Sequence, residues 1–245
     1  MVQSGMAGTW LNVMAIVVGS VFGLFIRRPF SAANQSLVKL VLGACAIWFG
    51  LRLTWISLHG PLLQILKQIG IMVAALALGK LSGQLLHLQK ASNRIGGFAR
   101  DRMAAVQLDN PNRFSDGFSV CALLFCAAPL GINGSLTDGL SEYYSPLLVK
   151  AVMDGLASMS FAALFGLGST LSAVPVLVFQ GTISIVAMRF LAPFLQAHEL
   201  MEPVNAAAGL LVFCVGLLIL EIKKIAVTDY LPALVYAPLL ASWLR

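Results

Sequence analysis

Long apolar runs separated by short polar connections recur along the whole chain of 245 residues. A helix needs about twenty such residues to cross roughly 30 Å of hydrocarbon at 1.5 Å per residue. The pattern predicts an all-α membrane protein with about eight transmembrane helices in a single polytopic domain, residues 1–245. The predicted spans cover residues 8–26, 37–56, 61–79, 117–136, 147–167, 172–191, 204–221 and 228–244.

The composition agrees with a membrane protein, since 59% of the residues are hydrophobic and 11% are charged. Ordinary soluble domains have about 25% charged residues. No removable signal peptide is expected, because MVQSGMA has no basic segment and the first apolar run is long enough to span. The cysteines lie within apolar runs without metal or disulfide spacing and are interpreted as packing residues. They are Cys45, Cys121, Cys126 and Cys214.

Most of the 16 basic residues fall in three connections that eight spans would place on one face. Cytoplasmic connections are enriched in Lys and Arg, so both termini are predicted to be extracytoplasmic. Topology then accounts for the net charge of +6, and no nucleic-acid partner is expected. The basic residues concerned are Arg27, Arg28, Lys39, Lys80, Lys90, Arg94, Arg100, Arg102, Arg113, Lys223 and Lys224.

The connection over residues 80–116 mixes apolar with basic side chains. This mixture favours an amphipathic segment lying against anionic lipid, and Gly96 and Gly97 are expected to interrupt it. A solvated linker that only follows the orientation rule explains the composition equally well.

Two glycine pairs indicate an internal repeat. Gly43 and Gly50 in span two have the same separation as Gly209 and Gly216 in span seven. The two spans are predicted to run in opposite directions, as in transporters built from inverted repeats, which gives a 3+2+3 arrangement around a central hairpin. Ordinary packing through small residues is the alternative. The predicted units are residues 8–79, residues 117–167 as the hairpin, and residues 172–244.

Ionisable residues occur inside predicted span five. Lys150, Asp154 and Ser158 follow at i, i+4 and i+8, so they share one helix face. An ionised Asp near the bilayer centre costs roughly 2.5–3.5 kcal/mol, so this carboxyl should face protein or water rather than lipid. We therefore interpret the three residues as candidates for solute or ion binding.

Span four ends in FCAAPLGINGSLTDGL, where proline and glycines argue against a continuous helix. A broken helix at membrane depth exposes backbone amides and carbonyls, and would put Asn133 and Asp138 just before Asp154 in a hairpin. A span that stops near Leu130 and continues as an external loop is the alternative.

Two amides complete the candidate set. Gln180 lies in span six, and Asn12 lies in span one on the face that also carries Gly19. Each amide alone is typical of the hydrogen bonds that hold membrane helices together. The sequence has no Walker, Rossmann, GxSxG or HExxH pattern, so we expect no cofactor, no metal and no enzymatic activity.

Several blocks resemble the YdfK/YqgA-like bacterial integral membrane proteins, a family of unknown function. The resemblance extends from GTWLN near the start to LPAL near the end. It implies a multi-spanning protein of the bacterial cytoplasmic (inner) membrane, described as a transporter without an assigned substrate, and it carries no established site. The blocks are FSDGFSVCALLFCAAPLGINGSLTDGL, LLVKAVMDGLAS, SAVPVLVFQGTISIVA and LLILEIKKIAVTDYLPAL.

The leading hypothesis is a secondary transporter or channel for a small polar or cationic solute, coupled to protons or cations through Asp154. The alternative is a structural or regulatory membrane scaffold, in which Lys150 and Asp154 only fix the helix register. The expected partners are the lipid bilayer and a small solute or ion, with a homo-oligomer left open.

Overall fold

The computed structural model describes residues 5–25, 32–105 and 112–244, and these residues form helices and connections without a β-strand. The all-α prediction is therefore confirmed for this part of the chain. In chain order the elements are α1 Ala7–Phe25, α2 Ala32–Ile56, α3 Leu62–Leu85, α4 Leu88–Ala104, α5 Arg113–Ala127, α6 Pro129–Ser141, α7 Ser145–Phe165, α8 Leu167–Leu171, α9 Ala173–Val186, a π-helical turn Ala187–Leu191, α10 Ala192–Ala197, α11 Met201–Ile219, a 3-10 turn Val227–Tyr230 and α12 Ala233–Trp243.

Among the described residues, six helical stretches are long and apolar enough to cross a membrane, or seven if α5 and α6 form one bent span. One of them joins α8 to α10 as a stretch of 31 residues, Leu167–Ala197. The helix α12 has 11 residues, about 16 Å, which is short of the roughly 30 Å of hydrocarbon. The described residues thus contain six to seven candidate membrane-spanning helices, whereas the number eight stays a prediction.

Span four changes direction between two helices. The axes of α5 and α6 meet at 59°, and Ala128 between them has an extended backbone with φ −64° and ψ 125°. The chain resumes as a helix at Pro129 and continues to Ser141, so the alternative of an external loop after Leu130 is wrong. Proline favours the first position of a helix, where its missing N–H costs no hydrogen bond.

Polar side chains lie inside the bundle and large apolar side chains cover its outside. Asn12 and Gln180 are 0% exposed, whereas Phe25 is 82% and Trp55 is 77% exposed. Water-soluble proteins show the reverse distribution for polar side chains. An apolar outer surface of this extent is suited to lipid.

The glycines of the predicted repeat form the contact between α2 and α11. A Cβ atom on Gly50 would lie 2.6 Å from the Gly209 carbonyl oxygen, closer than real Cβ contacts. A Cβ atom on Gly216 would lie 3.0 Å from the Gly43 carbonyl oxygen. The earlier residue of α2 meets the later residue of α11, so the two helices run antiparallel with their backbones in contact.

Glycines also bring α1 against α7. A Cβ on Gly19 would clash with the backbone of Gly155, and one on Gly23 would clash with the backbone of Met159. Both residue numbers rise together along this contact, so α1 and α7 run parallel. By the same criterion three further helix pairs are antiparallel: α1 with α9, α3 with α12, and α6 with α7.

Within the predicted connection over residues 80–116, the chain forms a continuous helix, α4, and the prediction that Gly96 and Gly97 interrupt it is wrong. Residues 80–85 belong to α3, and residues 106–111 lie outside the described residues. Glycine in a helix interior costs only about 1 kcal/mol relative to alanine, and contacts elsewhere along α4 fix its course. The Asp229 carboxylate accepts a 2.7 Å hydrogen bond from the backbone N–H of Gln89 near the start. Near the end, Arg102 pairs with Asp116, and the buried Ala99 faces the core. Tertiary contacts therefore keep the helix intact through its two glycines.

Replacing Gly50 by alanine should destabilise the α2–α11 contact by about 1–3 kcal/mol, because the added Cβ meets backbone that cannot move aside cheaply. Thermal unfolding of the purified protein in detergent measures this loss. The control is Gly70→Ala on α3, where no atom lies within 4 Å of the added Cβ. Equal melting temperatures for both variants would contradict the packing described here.

Candidate functional site

Two opposite charges are buried on α7. The Lys150 ammonium donates a hydrogen bond to the Asp154 carboxylate, and the two side chains are 2% and 11% exposed. Residues four apart face the same side of a helix, so the sequence spacing alone aligns this pair. The pair faces protein rather than lipid, as predicted for an acid at this depth.

Amides from two other helices complete a cluster around the carboxylate. The Asn12 amide on α1 donates to Asp154 Oδ2 at 3.1 Å and to Gln180 Oε1 on α9 at 3.2 Å. Gln180 is therefore linked to the carboxylate only indirectly, because Asn12 bonds to both side chains. We call Asn12, Lys150, Asp154 and Gln180 the buried cluster.

The break between α5 and α6 lies beside this cluster. A Cβ atom on Gly131 would be 2.7 Å from Lys150 Cε and 3.2 Å from Gln180 Nε2, so the first turn of α6 touches both side chains. The first N–H groups of a helix and its last carbonyls have no partner within that helix. The break therefore brings backbone donors and acceptors next to the two charges, which is how broken helices bind ions and solutes in transporters.

Two buried atoms of the cluster have no hydrogen-bond partner among the described residues: Asn12 Oδ1 and Gln180 Nε2. Ser158 Oγ, one turn beyond Asp154, is a third such atom. Leaving a buried polar atom unsatisfied costs about 1–3 kcal/mol, so each of these atoms would be stabilised by a polar partner.

A cavity of about 380 Å³ reaches the buried cluster. Its mouth holds Lys39 and Glu221, which pair at 2.7 Å and are both exposed. The hydrogen bond from Lys39 keeps the pKa of the Glu221 carboxyl below its ordinary value. The cavity thus connects a surface ion pair with a buried one. Its lining residues are Lys39, Ala128, Pro129, Leu130, Lys150, Met153, Asp154, Val215, Leu218, Ile219 and Glu221.

A larger cavity of about 620 Å³ lies between the start of α3, the start of α11 and the end of α12. Gln64, Lys67 and Glu202 are among its lining residues, and no member of the buried cluster reaches it. We therefore place the candidate site at the smaller cavity, which Lys150 and Asp154 line. Asn12 and Gln180, with their unpaired atoms, do not line this cavity and lie on the protein side of the ion pair.

The remaining candidates make separate contacts. Asn133 donates to the Ala208 carbonyl oxygen at 2.9 Å and joins α6 to α11. Asp138 accepts a 2.9 Å hydrogen bond from the backbone N–H of Gly8, so it caps the start of α1, where a negative charge also suits the helix dipole. Of the seven candidates, the structure brings four together in the buried cluster.

Some contacts were not foreseen from the sequence. The Lys150 ammonium lies 5.8 Å from the centre of the Phe125 ring, a cation–π distance between α7 and the end of α5. The hydroxyl of Thr9 lies 3.4 Å from that of Ser184, which adds a second polar contact between α1 and α9. The sequence itself contains a short repeat that relates α6 to α7, because Asp-Gly-Leu occurs at residues 138–140 and again at residues 154–156.

Comparison with known proteins supplies a family. A family model described as "Protein of unknown function (DUF554)" matches residues 7–242. The chain is similar to the "Uncharacterized membrane protein YdfK" of Bacillus subtilis (strain 168), with 28% identity over 95% of this chain and 94% of that protein. It is also similar to the "Uncharacterized protein YqgA" of Escherichia coli (strain K12), with 27% identity over 96% and 97% of the two chains. No solved structure matches.

Breaking the buried pair from one side should cost more than removing both charges. Lys150→Gln and Asp154→Asn each leave one buried charge without its partner, a loss of about 3–5 kcal/mol, whereas the neutral double variant leaves none. Unfolding of the four proteins in detergent should therefore give a coupling free energy at the upper end of about 0.5–3 kcal/mol.

The surface pair of Arg102 and Asp116 provides the matched control for this cycle, because Arg102 is 50% exposed. Its coupling should be only about 0.2–1 kcal/mol, as for exposed ion pairs. Strictly additive losses at Lys150 and Asp154 would show that the two charges do not stabilise one another.

Proposed function

We propose a transport function for this chain, which belongs to the DUF554 family of membrane proteins of unknown function. The protein acts as a secondary transporter or channel for a small polar or cationic solute. The observation that carries the proposal is a buried ion pair that opens to a cavity beside a broken helix.

The cluster has the properties that a solute site at membrane depth requires. Asp154 offers an acceptor to a cation or proton, and Lys150 offers a donor that is 2% exposed. The unpaired amide atoms of Asn12 and Gln180 supply further polar contacts without new charge. Ionisable residues inside a membrane bundle commonly mark such pathways. The proposal assigns no bond-making or bond-breaking step to these residues.

An inverted 3+2+3 arrangement is part of the proposal. A two-fold axis in the membrane plane would exchange α1 with α9, α2 with α11, α3 with α12 and α6 with α7. Each of these pairs is in contact and antiparallel, as such an axis requires. In transporters with inverted repeats, the solute site lies near the repeat interface, which here is where Asn12 and Gln180 meet.

Individual contacts between α6 and α7 support the same axis. Gly131 touches Lys150 and Gly134 touches Leu147. Adding sixteen to a residue number in α6 gives the corresponding residue in α7. Gly131 then corresponds to Leu147 and Gly134 to Lys150, so exchanging the two helices turns the first contact into the second. Antiparallel helices in regular contact keep the sum of the paired residue numbers constant, so these contacts agree with the axis, while the shift of sixteen comes from the repeated sequence.

The same shift places Asp138 on Asp154, since both begin the repeated Asp-Gly-Leu. The glycine after Asp154 packs against Ala15 of α1, and the glycine after Asp138 packs against Ser184 of α9. Asp138 is accordingly the proposed counterpart of Asp154 in the other half of the protein, where it currently caps α1.

The proposed location is the bacterial inner membrane with both termini outside. The helix directions put the start of α1 and the end of α12 at one face, and the basic residues Lys80, Arg113 and Lys223 at the other. The enrichment of cytoplasmic connections in basic residues then assigns the second face to the cytoplasm.

Reporter fusions test this orientation. Alkaline phosphatase, which is active only outside the cytoplasmic membrane, should be active when fused after residue 245 and inactive when fused to a chain truncated after Lys224. Fusion after His198, in the connection between α10 and α11, should restore activity. The opposite pattern would reverse the proposed orientation and place the mouth of the cavity outside.

A ligand screen tests the transport proposal. Thermal unfolding of the detergent-purified protein is measured with alkali and divalent cations, amino acids and polyamines at several pH values. A ligand at about a hundred times its Kd should stabilise the wild type by roughly 2.7 kcal/mol. Asp154→Asn should fold and lose the response, whereas the surface variant Asp116→Asn should keep it.

The neutral variant Lys150→Gln/Asp154→Asn replaces Asp154→Asn in the screen if the single variant is unstable. A wild type that no compound stabilises, together with a poorly folded Asp154→Asn, would favour the alternative of a membrane scaffold. The pair would then only fix the register of α7 against α1.

A further inference from the structure

We propose that the solute is a zwitterion with adjacent charges and an apolar body, of the class of aliphatic α-amino acids. This inference rests on the proposed transport function and narrows its solute. It follows from three features of the site: its charge balance, its unpaired atoms and the walls of its cavity.

The charges of the buried cluster cancel. Lys150 is a cation, Asp154 is an anion, and the amides of Asn12 and Gln180 are neutral. A guest with a net charge would leave one uncompensated charge in a low-dielectric interior, which is strongly unfavourable. A zwitterion instead exchanges one internal ion pair for two pairs with the protein, and the site stays neutral throughout.

The two unpaired atoms next to the pair are of opposite kinds. Asn12 Oδ1 is an acceptor and Gln180 Nε2 is a donor, and neither has a partner among the described residues. Neither Asn12 nor Gln180 lines the cavity, so the guest would reach them only by separating Lys150 from Asp154. An ammonium group inserted between Asp154 and Asn12 would then satisfy the acceptor. A carboxylate between Lys150 and Gln180 would satisfy the donor.

The helix break strengthens this assignment of the two ends. Gly131 in the first turn of α6 lies against both Lys150 and Gln180, so the carboxylate would approach the positive end of α6. The Gly131 N–H is itself bonded to the Ala128 carbonyl oxygen at 2.9 Å, so this end of α6 would act on the carboxylate through the helix dipole. The last carbonyls of α5 are acceptors for the ammonium. Both charges of the guest must be close together, because Lys150 and Asp154 are in direct contact.

The walls of the cavity determine the body of the guest. Between the buried pair and the mouth the lining is apolar, with Leu130, Met153, Val215, Leu218 and Ile219. The volume of about 380 Å³ lies near the lower end of the range of about 300–1,000 Å³ for small-molecule sites. An aliphatic side chain of a few carbon atoms fits this space and gains from leaving water.

Four compounds of similar size separate the charge classes. Leucine carries both charged groups on its α-carbon, leucine methyl ester is a cation, and 4-methylpentanoate is an anion. The fourth compound, 6-aminohexanoate, is an isomer of leucine with its charges far apart. Their affinities for the purified full chain are measured from the shift in melting temperature and by calorimetry.

We expect leucine to stabilise the wild type and the other three to bind at least about tenfold more weakly, which is 1.4 kcal/mol. Binding of the ester or the carboxylate as tight as that of leucine would overturn the zwitterion assignment. Equal binding of 6-aminohexanoate would overturn the requirement for adjacent charges. The transport proposal survives both outcomes, since a charged solute would still occupy the site.

If none of the four compounds binds, the zwitterion inference is overturned, and the broader ligand screen described above then tests the transport proposal. If cations or polyamines stabilise the wild type, the site exists and takes a different solute. If they do not, the proposed function fails as well.

Substitutions in the cavity locate the bound compound. Met153→Trp fills the cavity and should weaken leucine binding by about tenfold or more, whereas Val152→Trp at the preceding position of α7, which does not line the cavity, is the matched control. Met153 is 37% and Val152 is 42% exposed, so both variants alter partly exposed apolar positions. The neutral variant Lys150→Gln/Asp154→Asn should bind none of the four compounds. Leucine binding that survives in Met153→Trp would place it outside this cavity.

Discussion

The contact between Lys150 and Asp154 is the interaction around which the centre of this protein is organised. Either charge alone would be very costly in the interior of an apolar bundle, so the two must stay together or meet a guest of opposite charge. Asn12 of α1 donates a hydrogen bond to the pair, Gln180 of α9 accepts one from Asn12, and Gly131 of α6 packs against Lys150. The choice of neighbours for α7 is therefore tied to the presence of one acidic side chain.

Such neighbours must come close, because amides have short side chains. Glycine makes this possible on α1, where Gly19 and Gly23 allow its backbone to touch that of α7. Asn12 lies on the same face, and the close approach brings its amide within 3.1 Å of the carboxylate. Small residues thus have a role beyond tight packing: they set the distance at which polar side chains from different helices can bond.

Much of this arrangement was predictable from the sequence, for identifiable reasons. The length of the apolar runs predicts membrane helices, and the spacing of Lys150 and Asp154 predicts one shared face. Which distant amide would meet Asp154 was not predictable, since Asn12 and Asp154 are 142 residues apart and their contact depends on the packing of whole helices. The course of α4 through Gly96 and Gly97 was mispredicted for a similar reason, because Asp229 and Asp116 hold the helix from outside its own sequence. Local preferences are overridden where a tertiary contact is stronger than the preference.

The bend at Ala128 limits what a mutational scan of this site can detect. Part of what surrounds the buried charges is main chain, namely the end of α5 and the start of α6. Peptide groups are the same whichever side chain they carry, so a scan that truncates side chains one by one leaves these groups in place. Only changes that redirect the chain, at Ala128, Pro129 or Gly131, would reach them. A list of the side chains at which substitution impairs the protein would therefore describe only the side-chain part of the site and would miss its backbone part.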